Sequence, residues 1–412
     1  MPRASKKQFY IFLYPLSLQT AVPAALAHFT QADYLHIAYG NKYRKHEKSV
    51  PIDPVLLPLD QSEYLLTEGC YGTIRDASPD YWGRLVIAKM INKDIHDLTE
   101  QDFVLYQNCE RAGNLDFRES LEAGEPDIEP PMTEYLDILL AAAQNIEKGI
   151  SIDKRHLMLL AQGTSLGGSR PKCTVIYQGF PWLAKFPSIR DQYSNARVEF
   201  ATLSLAQKCG INVPPMQLIE IDGIDILLSK RFDRKITDKG ISRLGYMSAL
   251  SLCKTNEHDL FAYSYEKIAG AMTRYCPADR TEFFKRMLFN VLCRNTDDHP
   301  RNHGFLIEGE TIRLSPAFDI VPTTSTEGIS TFVSQAMNVG AYGREGTIEN
   351  VLSHAALFGL TRQRSQEIVE NMLEKFSLWQ ECFERAGVSE KETELFKNSF
   401  ETRWKLFTQK KS

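Results

Sequence analysis

FFKRMLFNVLCRNTDDHPRNHGFLIEGETIRLSPAFD, residues 283–319, is the stretch on which the reading of the whole chain turns. Apolar residues at Phe283, Phe284, Met287, Leu288, Val291 and Leu292 have the spacing of a helix with one buried face. Beyond Cys293 the chain turns polar and rich in ligand-type groups: Asn295, Asp297, Asp298, His299, Asn302 and His303. Pro300 among them disfavours helix at the residue before it. A rigid apolar helix therefore delivers a short polar loop. Two strand-type runs follow, 304–307 and 311–314, around the turn Glu308-Gly309-Glu310, and then Ser315-Pro316-Ala317-Phe318-Asp319. A hairpin of that size returns Asp319 towards the loop.

One carboxylate to take a proton, with an Asn and a second Asp to hold a cation, is a set that suits phosphoryl transfer, which depends on positioning and charge neutralisation. Asp297 and Asn302 are separated by four residues, as Asp and Asn are in the protein-kinase catalytic loop. The pattern is loose, and a solvated loop of turn formers would show the same residues. Two upstream signals bear on the choice. The run Gly163-Thr-Ser-Leu-Gly-Gly-Ser-Arg-Pro-Lys172 precedes the strand-like residues 174–177, and its glycines let backbone N–H groups approach phosphates. It is no Walker A loop, because Ser169 stands where that motif needs Lys. Trp182-Leu-Ala-Lys185-Phe-Pro reads as a second strand whose single lysine could reach the α- and β-phosphates. An ordinary hairpin loop and an edge-strand lysine are the plainer readings of these two pieces.

The pieces recur in order: Tyr71-Gly-Thr-Ile-Arg-Asp-Ala-Ser-Pro-Asp-Tyr-Trp-Gly-Arg84, the loop 163–172, Leu183-Ala-Lys185-Phe-Pro, Glu199, Ser229-Lys-Arg-Phe-Asp-Arg234, Asn295-Thr-Asp-Asp-His-Pro-Arg-Asn302 and Pro316-Ala-Phe-Asp319. In that order the chain resembles the HipA-type serine/threonine kinases, toxins of type II toxin–antitoxin pairs. The resemblance implies an α+β, kinase-like two-lobed fold: a β-rich N-terminal subdomain (1–125), a nucleotide-binding lobe (126–232) and a helical catalytic lobe (233–412). It implies ATP and Mg²⁺ as cofactors. Gly163, Thr164, Ser165, Leu166, Gly167, Gly168, Ser169, Arg170, Pro171 and Lys172 would lie over the phosphates. Lys185, paired with Glu199, would neutralise them, and Lys230, Arg231 and Phe232 would form the hinge at the adenine. His299 and Asn302 would complete the nucleotide site, Asn302 and Asp319 would hold Mg²⁺, and Asp297 would be catalytic.

The departures are informative. Asn295-Thr296 precedes the catalytic Asp where ordinary protein kinases have His-Arg, so control by that arginine is absent. In the family, autophosphorylation of a serine near the Gly-rich loop shuts the enzyme down. Leu160 falls at the place of that serine, leaving Thr164, Ser165 and Ser169 as candidates. Two rival readings are a kinase-fold enzyme acting on a small-molecule alcohol and a catalytically silent partner of a DNA-binding antitoxin.

The remainder of the 412 residues fits this frame. A composition 43% hydrophobic and 24% charged is that of an ordinary globular protein long enough for two or three cores. A net charge of −4 carries no basic footprint, so DNA would be met through a helix-turn-helix antitoxin partner. Eight scattered cysteines without a C-x-x-C argue against a zinc ribbon or a disulfide scaffold and for a reducing cytoplasm. Cys293, Asp298, His299 and His303 lack the spacing of known zinc motifs. The basic start followed by apolar residues 9–18 resembles a secretory signal, yet Phe9-Tyr-Ile-Phe-Leu-Tyr14 reads better as a strand, and no run is long enough to span a membrane. Residues 7–118 read as short strands, with Trp82 in a packed loop. Residues 119–132, acidic with three prolines, read as a linker, and 133–149 as a helix. A helix capped by Asp191 and stopped by Gly210 follows, then a hairpin at Asp222-Gly223, and helices over 246–253, 263–274, 363–386 and 391–407.

Overall fold

The computed structural model describes residues 8–16, 20–30, 32–106, 110–125, 129–162, 168–260, 263–324 and 334–408. The chain divides into two compact units. The first comprises Met1–Ile189, Leu228–Glu257 and Phe305–Ile312, the second Arg190–Leu227, His258–Gly304 and Arg313–Ser412. Helices and several sheets are mixed along the chain.

In the first unit, β-branched and aromatic runs form a five-stranded antiparallel sheet in the order Glu63–Leu66, Leu35–Tyr39, Val22–Phe29, Phe9–Leu13, Leu115–Arg118. The run read as a strand at the N-terminus is paired on both sides, with Ile11 opposite Ala25 and Phe117. Phe9, Ile11, Leu35 and Ile37 are fully buried in its core. This region is less purely β than its sequence suggests. Tyr81–Met90 is a helix that contains Trp82, and Glu100–Leu105 is another, closed by a reciprocal Thr99–Asp102 capping box. Helices Leu136–Glu147 and Lys154–Leu160 precede a hairpin of Lys172–Tyr177 with Phe180–Lys185. Its two-residue turn, Gln178-Gly179, has both φ angles positive, the geometry that matches strand twist.

Residues 246–253, expected as one helix, are a strand, Gly245–Ser248, followed by the short helix Ala249–Leu252. Gly245 packs so closely on Ile307 that a Cβ would lie 2.9 Å from it, and Asp76 takes the Ser248 N–H at 2.7 Å. Tertiary pairing outweighs the local helical pattern there.

The second unit is built on the helix Arg280–Leu292. All six apolar positions read from its sequence are fully buried. Rings surround it: Tyr265 of helix Tyr265–Tyr275 lies 5.4 Å from Phe283, and Phe376 of helix Arg362–Phe376 lies 5.8 Å from Phe289. The expected helix over 363–386 is two, Arg362–Phe376 and Trp379–Arg385, because the Ser377 hydroxyl bonds back to Glu374 O at 2.6 Å and the chain turns. Glu390–Thr408 completes the helical set. Helix Asn195–Lys208 starts later than expected. Its cap is Ser194, whose hydroxyl takes the Arg197 N–H, rather than Asp191. The Asp222-Gly223 hairpin between Met216–Ile221 and Ile224–Lys230 is present, both residues at positive φ.

Candidate active site

The polar loop begins where the central helix of the second unit stops. Arg294 has φ +57, its N–H reaches Val291 O, and the Asn295 N–H reaches Asn290 O at 2.9 Å. That is a Schellman ending with Arg in the left-handed position glycine usually fills. Beneath the loop, the Tyr265 hydroxyl donates to Asp298 Oδ2, which also meets His303 Nε2 at 3.1 Å. Asn290 Nδ2 donates to the Tyr265 oxygen at 3.1 Å and takes Asn295 Nδ2 on its own carbonyl at 3.1 Å. Asp298 and His303 are thus fastened into the fold. Cys293 is buried, with its thiol against Asn290 O at 3.8 Å.

Asp297, next in sequence to this buried anchor, is held differently. Its side chain reaches water, yet partial desolvation by the surrounding loop raises its pKa above the ordinary carboxylate value. His299 opposes the shift, and the negative charges of Asp319 and Asp298 add to it. Asn302, in the turn Pro300–Asn302, donates its side-chain N–H to Asp297 O at 3.4 Å, leaving its amide oxygen to act as a ligand. Asp319 comes back to this loop as the hairpin reading expects. Ser315 N bonds Gly304 O at 2.9 Å, Arg286 Nη2 holds Ser315 O at 2.6 Å, and Ala317 N bonds Asn212 O at 2.8 Å. Asp319 itself sits at φ +59, a strained backbone for a residue that is not glycine. Among the described residues His299 Nδ1, which is buried, finds no hydrogen-bond partner.

Asp319 and Asp298 place negative charge beside Asp297. Facing carboxylates raise one another's affinity for protons, and a divalent cation relieves the same repulsion. A carboxylate from Asp319 and an amide oxygen from Asn302 are donors of the type Mg²⁺ takes alongside phosphate oxygens and water. Glu199, 7% exposed on helix Asn195–Lys208, belongs to the same unit.

The other candidate residues lie in the first unit. Gly163, Thr164, Ser165, Leu166 and Gly167 fall outside the described residues. Gly168 has φ +85, a backbone that favours glycine, and a Cβ there would only have to displace the flexible Lys172 ammonium, 2.6 Å away. Ser169 and Arg170 are exposed and Lys172 is buried, opposite Lys185 in the hairpin register. Pro171 O accepts the Phe186 N–H at 2.9 Å, fastening the loop's exit to the lysine strand. Lys230 Nζ sits 4.3 Å over the Phe180 ring, and Phe232 is half-buried beside Tyr246. Arg231 is buried and donates to Glu110, Asp233, Thr174 Oγ1 and Arg111 O, while its backbone N–H reaches Pro181 O. Its side chain is structural.

Sequence reasoning missed three groups. Tyr265 and Asn290 support the loop from positions whose spacing looks only like helix core. Asp80, read as part of a packed loop, accepts the Gly168 N–H at 2.7 Å. The only available sign was its place in the distinctive stretch 71–84.

The model of the HipA-like C-terminal domain matches residues 164–379, more than half of the chain. The chain belongs to the HipA-like family. A solved relative of this HipA-like chain is found in the Shewanella oneidensis MR-1 toxin–antitoxin complex of HipA, HipB and operator DNA. The similarity covers 97% of both chains at a TM-score of 0.70 with 16% identity, a likeness of fold. The Sinorhizobium fredii (strain NBRC 101917 / NGR234) protein named "Putative kinase Y4dM" is 30% identical over 161 residues, 35% of this chain and 38% of that relative's length. The Helicobacter pylori proinflammatory kinase CtkA matches at a TM-score of 0.44, with 13% identity over 58% of this chain and 89% of that one. Among the described residues no helix is long and apolar enough to cross a membrane.

Proposed function

We propose that this HipA-like chain is an ATP- and Mg²⁺-dependent serine/threonine protein kinase of toxin type. The observation that carries the reading is the gathering of Asp297, Asn302 and Asp319 at the end of one buried helix, with the Asp319 charge raising the Asp297 pKa. In this reading Asp297 accepts the proton of a Ser or Thr hydroxyl as that oxygen bonds to the γ-phosphorus of ATP, and the bond to the β–γ bridging oxygen breaks to release ADP. Asn302 and Asp319 would hold Mg²⁺, which supplies charge neutralisation on the phosphates. The unpartnered His299 Nδ1 would find its partner in the nucleotide. Lys185 and the loop 163–172 would bind the phosphates, Glu199 would orient Lys185, and backbone groups of residues 230–232 would meet adenine. In this reading 126–232 would be the nucleotide lobe, 233–412 the catalytic lobe and 1–125 the attached β-rich subdomain.

The HipA relative is named in a complex with HipB and operator DNA. By extension this chain would act in the cytoplasm and bind a helix-turn-helix antitoxin, reaching DNA through it, as its net charge of −4 also suggests. Thr164, Ser165 and Ser169 are the proposed self-phosphorylation sites.

Incubation with labelled ATP and Mg²⁺, offering bacterial protein extract and small alcohols as separate acceptors, tests the reading. Label on protein Ser or Thr that vanishes in Asp297→Asn supports it. Label confined to a small alcohol would favour a metabolite kinase, and no label on either would favour a silent antitoxin partner. Peptide mass spectrometry of the chain itself decides among the three loop hydroxyls.

A further inference from the structure

Asp80 stands at the N-cap of helix Tyr81–Met90, where an aspartate ordinarily accepts a backbone N–H of its own first turn. It makes no such bond. Its Oδ2 instead accepts the N–H of Gly168, 88 residues away, at 2.7 Å. Its Oδ1 is held by Arg75 Nη2 at 3.1 Å, and Arg75 is in turn held by Glu257 at 2.6 Å. Two residues on, the Trp82 indole N–H donates to Lys172 O at 3.0 Å, and the Trp82 backbone N–H points at Gly168 O at 3.5 Å. Asp80 is 9% exposed and Trp82 2%. All of these groups lie within the first compact unit.

We propose that Arg75, Asp80 and Trp82 form a clamp on the C-terminal stem of the Gly-rich loop, with Asp80 as a positioning residue for the phosphate-binding backbone. The proposal rests on the kinase reading for its consequence and on geometry alone for its existence. A carboxylate bonded to a backbone N–H is a strong, charge-assisted contact, and Arg75 fixes its orientation. Gly168 has no side chain with which to hold itself, and its φ of +85 favours glycine there. An outside group must fix the loop, and Asp80 supplies it. The helix Tyr81–Met90 forgoes its own cap to do so. Phosphate contacts made by the amides of residues 168–172 then draw on a backbone already held in place before the nucleotide arrives.

The test compares the full wild-type chain with Asp80→Ala and Asp80→Asn. Hydrogen exchange followed by mass spectrometry reads the amides of residues 168–172, and initial rates of transfer from ATP give KM and kcat. In Asp80→Ala, exchange at the stem should speed up at least about tenfold and KM for ATP should rise about tenfold, the worth of one charge-assisted hydrogen bond. The change in kcat should stay within about threefold, since the transferring groups are untouched. Asp80→Asn keeps an acceptor oxygen and should recover most of the protection and most of the KM. A purely structural staple would instead lower melting temperature and reduce kcat in step with folded fraction, KM unchanged, and that result overturns the proposal. Unchanged stem exchange in Asp80→Ala overturns it as well. If Asp80→Ala does not fold, Asp80→Asn with wild-type exchange and a wild-type KM supports the clamp, and Asp80→Asn with stem exchange as fast as in the unfolded chain overturns it. A wild-type chain that transfers no phosphate would defeat the kinase reading, while exchange alone still decides whether the clamp exists.

Discussion

Two groups of carboxylates in this chain are treated in opposite ways, one buried and one open to water at Asp297. In the first unit, Glu110 and Asp233 lie against Arg231 and Arg234, with Arg231 Nη2 2.7 Å from Asp233 Oδ2 and Arg234 Nη2 3.1 Å from Glu110 Oε2. Burial alone would raise both acids. The two guanidinium groups outweigh it, and both acids titrate below their ordinary values. Arg234 is itself lowered to about 10, chiefly by burial and then by Arg231, and stays charged at neutral pH. In the second unit, Asp297 is pushed up by partial desolvation and by its acidic neighbours, opposed by His299, while its side chain stays exposed. A paired cluster holds a fold together. Carboxylates whose charges raise one another's pKa cost stability, and perturbed groups of that kind are found at functional sites.

The contrast breaks most easily at Arg231. Arg231→Ala leaves Asp233 and Glu110 short of a partner inside the protein and should cost about 3–5 kcal/mol of unfolding free energy in a urea titration. A loss below about 1 kcal/mol would mean that the cluster is an ornament of the fold. Asp297→Asn should do the reverse. Phosphoryl transfer should fall by about 10²–10⁴-fold, as when a general base is removed, while the melting temperature stays level or rises because a repelled charge is gone. A variant that melts well below the wild type would show that Asp297 is structural.

Acidity sharpens the same comparison. Asp297 keeps its proton to higher pH in the fold than in the unfolded chain, so it favours folding below its unfolded pKa, and that contribution is lost as pH rises through the folded value. Glu110 and Asp233 have depressed values, so their contribution is present above the unfolded pKa and is lost as pH falls through the folded one. Acid should therefore unfold the first unit's cluster while relieving the second unit's site. Transfer should rise with pH along a single ionisation above the ordinary Asp value. A rate flat from pH 5 to 8 would be compatible only with an Asp297 that ionises lower than its surroundings dictate.

How the two regions could be read from the sequence differs for related reasons. The helix Arg280–Leu292 announces itself, because six apolar residues at helical spacing are a local pattern and burial preserves it. Asp297, Asn302 and Asp319 are legible because their spacing is set by a short loop and a tight hairpin. The helix ending at Arg294 is not, since a left-handed arginine gives none of the signal a glycine would. Asp80 and Gly168, like Arg231 and Glu110 separated by 121 positions, meet only through tertiary folding. Residues 246–253 mislead because their pairing with 304–308 overrides a helical pattern. Local periodicity thus carries the scaffold, and long-range polar contacts carry what sets the site in place.

Within the second unit, Tyr265 tests whether Asp298 belongs with the paired acids or with the exposed chemistry of Asp297. Its hydroxyl donates to Asp298 and accepts from Asn290, and its own pKa is driven well above the ordinary value, by burial first and then by the Asp298 charge. Tyr265→Phe removes that donor and should cost about 1–3 kcal/mol, with a smaller loss of kcat than Asp297→Asn. Equal loss of kcat in the two variants would make Asp298 a reacting group.

The smallest effect lies at a pair that looks stronger on paper. Asp153 and Arg155 sit 3.1 Å apart, and hydrogen bonds from Arg155 lower Asp153 to about 2. Both are exposed to water, where hydration replaces much of what the partner gives and salt screens the remainder. Arg155→Ala should leave the urea midpoint where it is, at low and high salt alike. A measurable shift would mean that proximity rather than burial decides what a charge pair contributes here. The distinction between Glu110 with Asp233 and Asp297 with Asp319 would then have to rest on geometry alone, because it is the exclusion of water around Glu110 and Asp233 that makes their pairing stabilising.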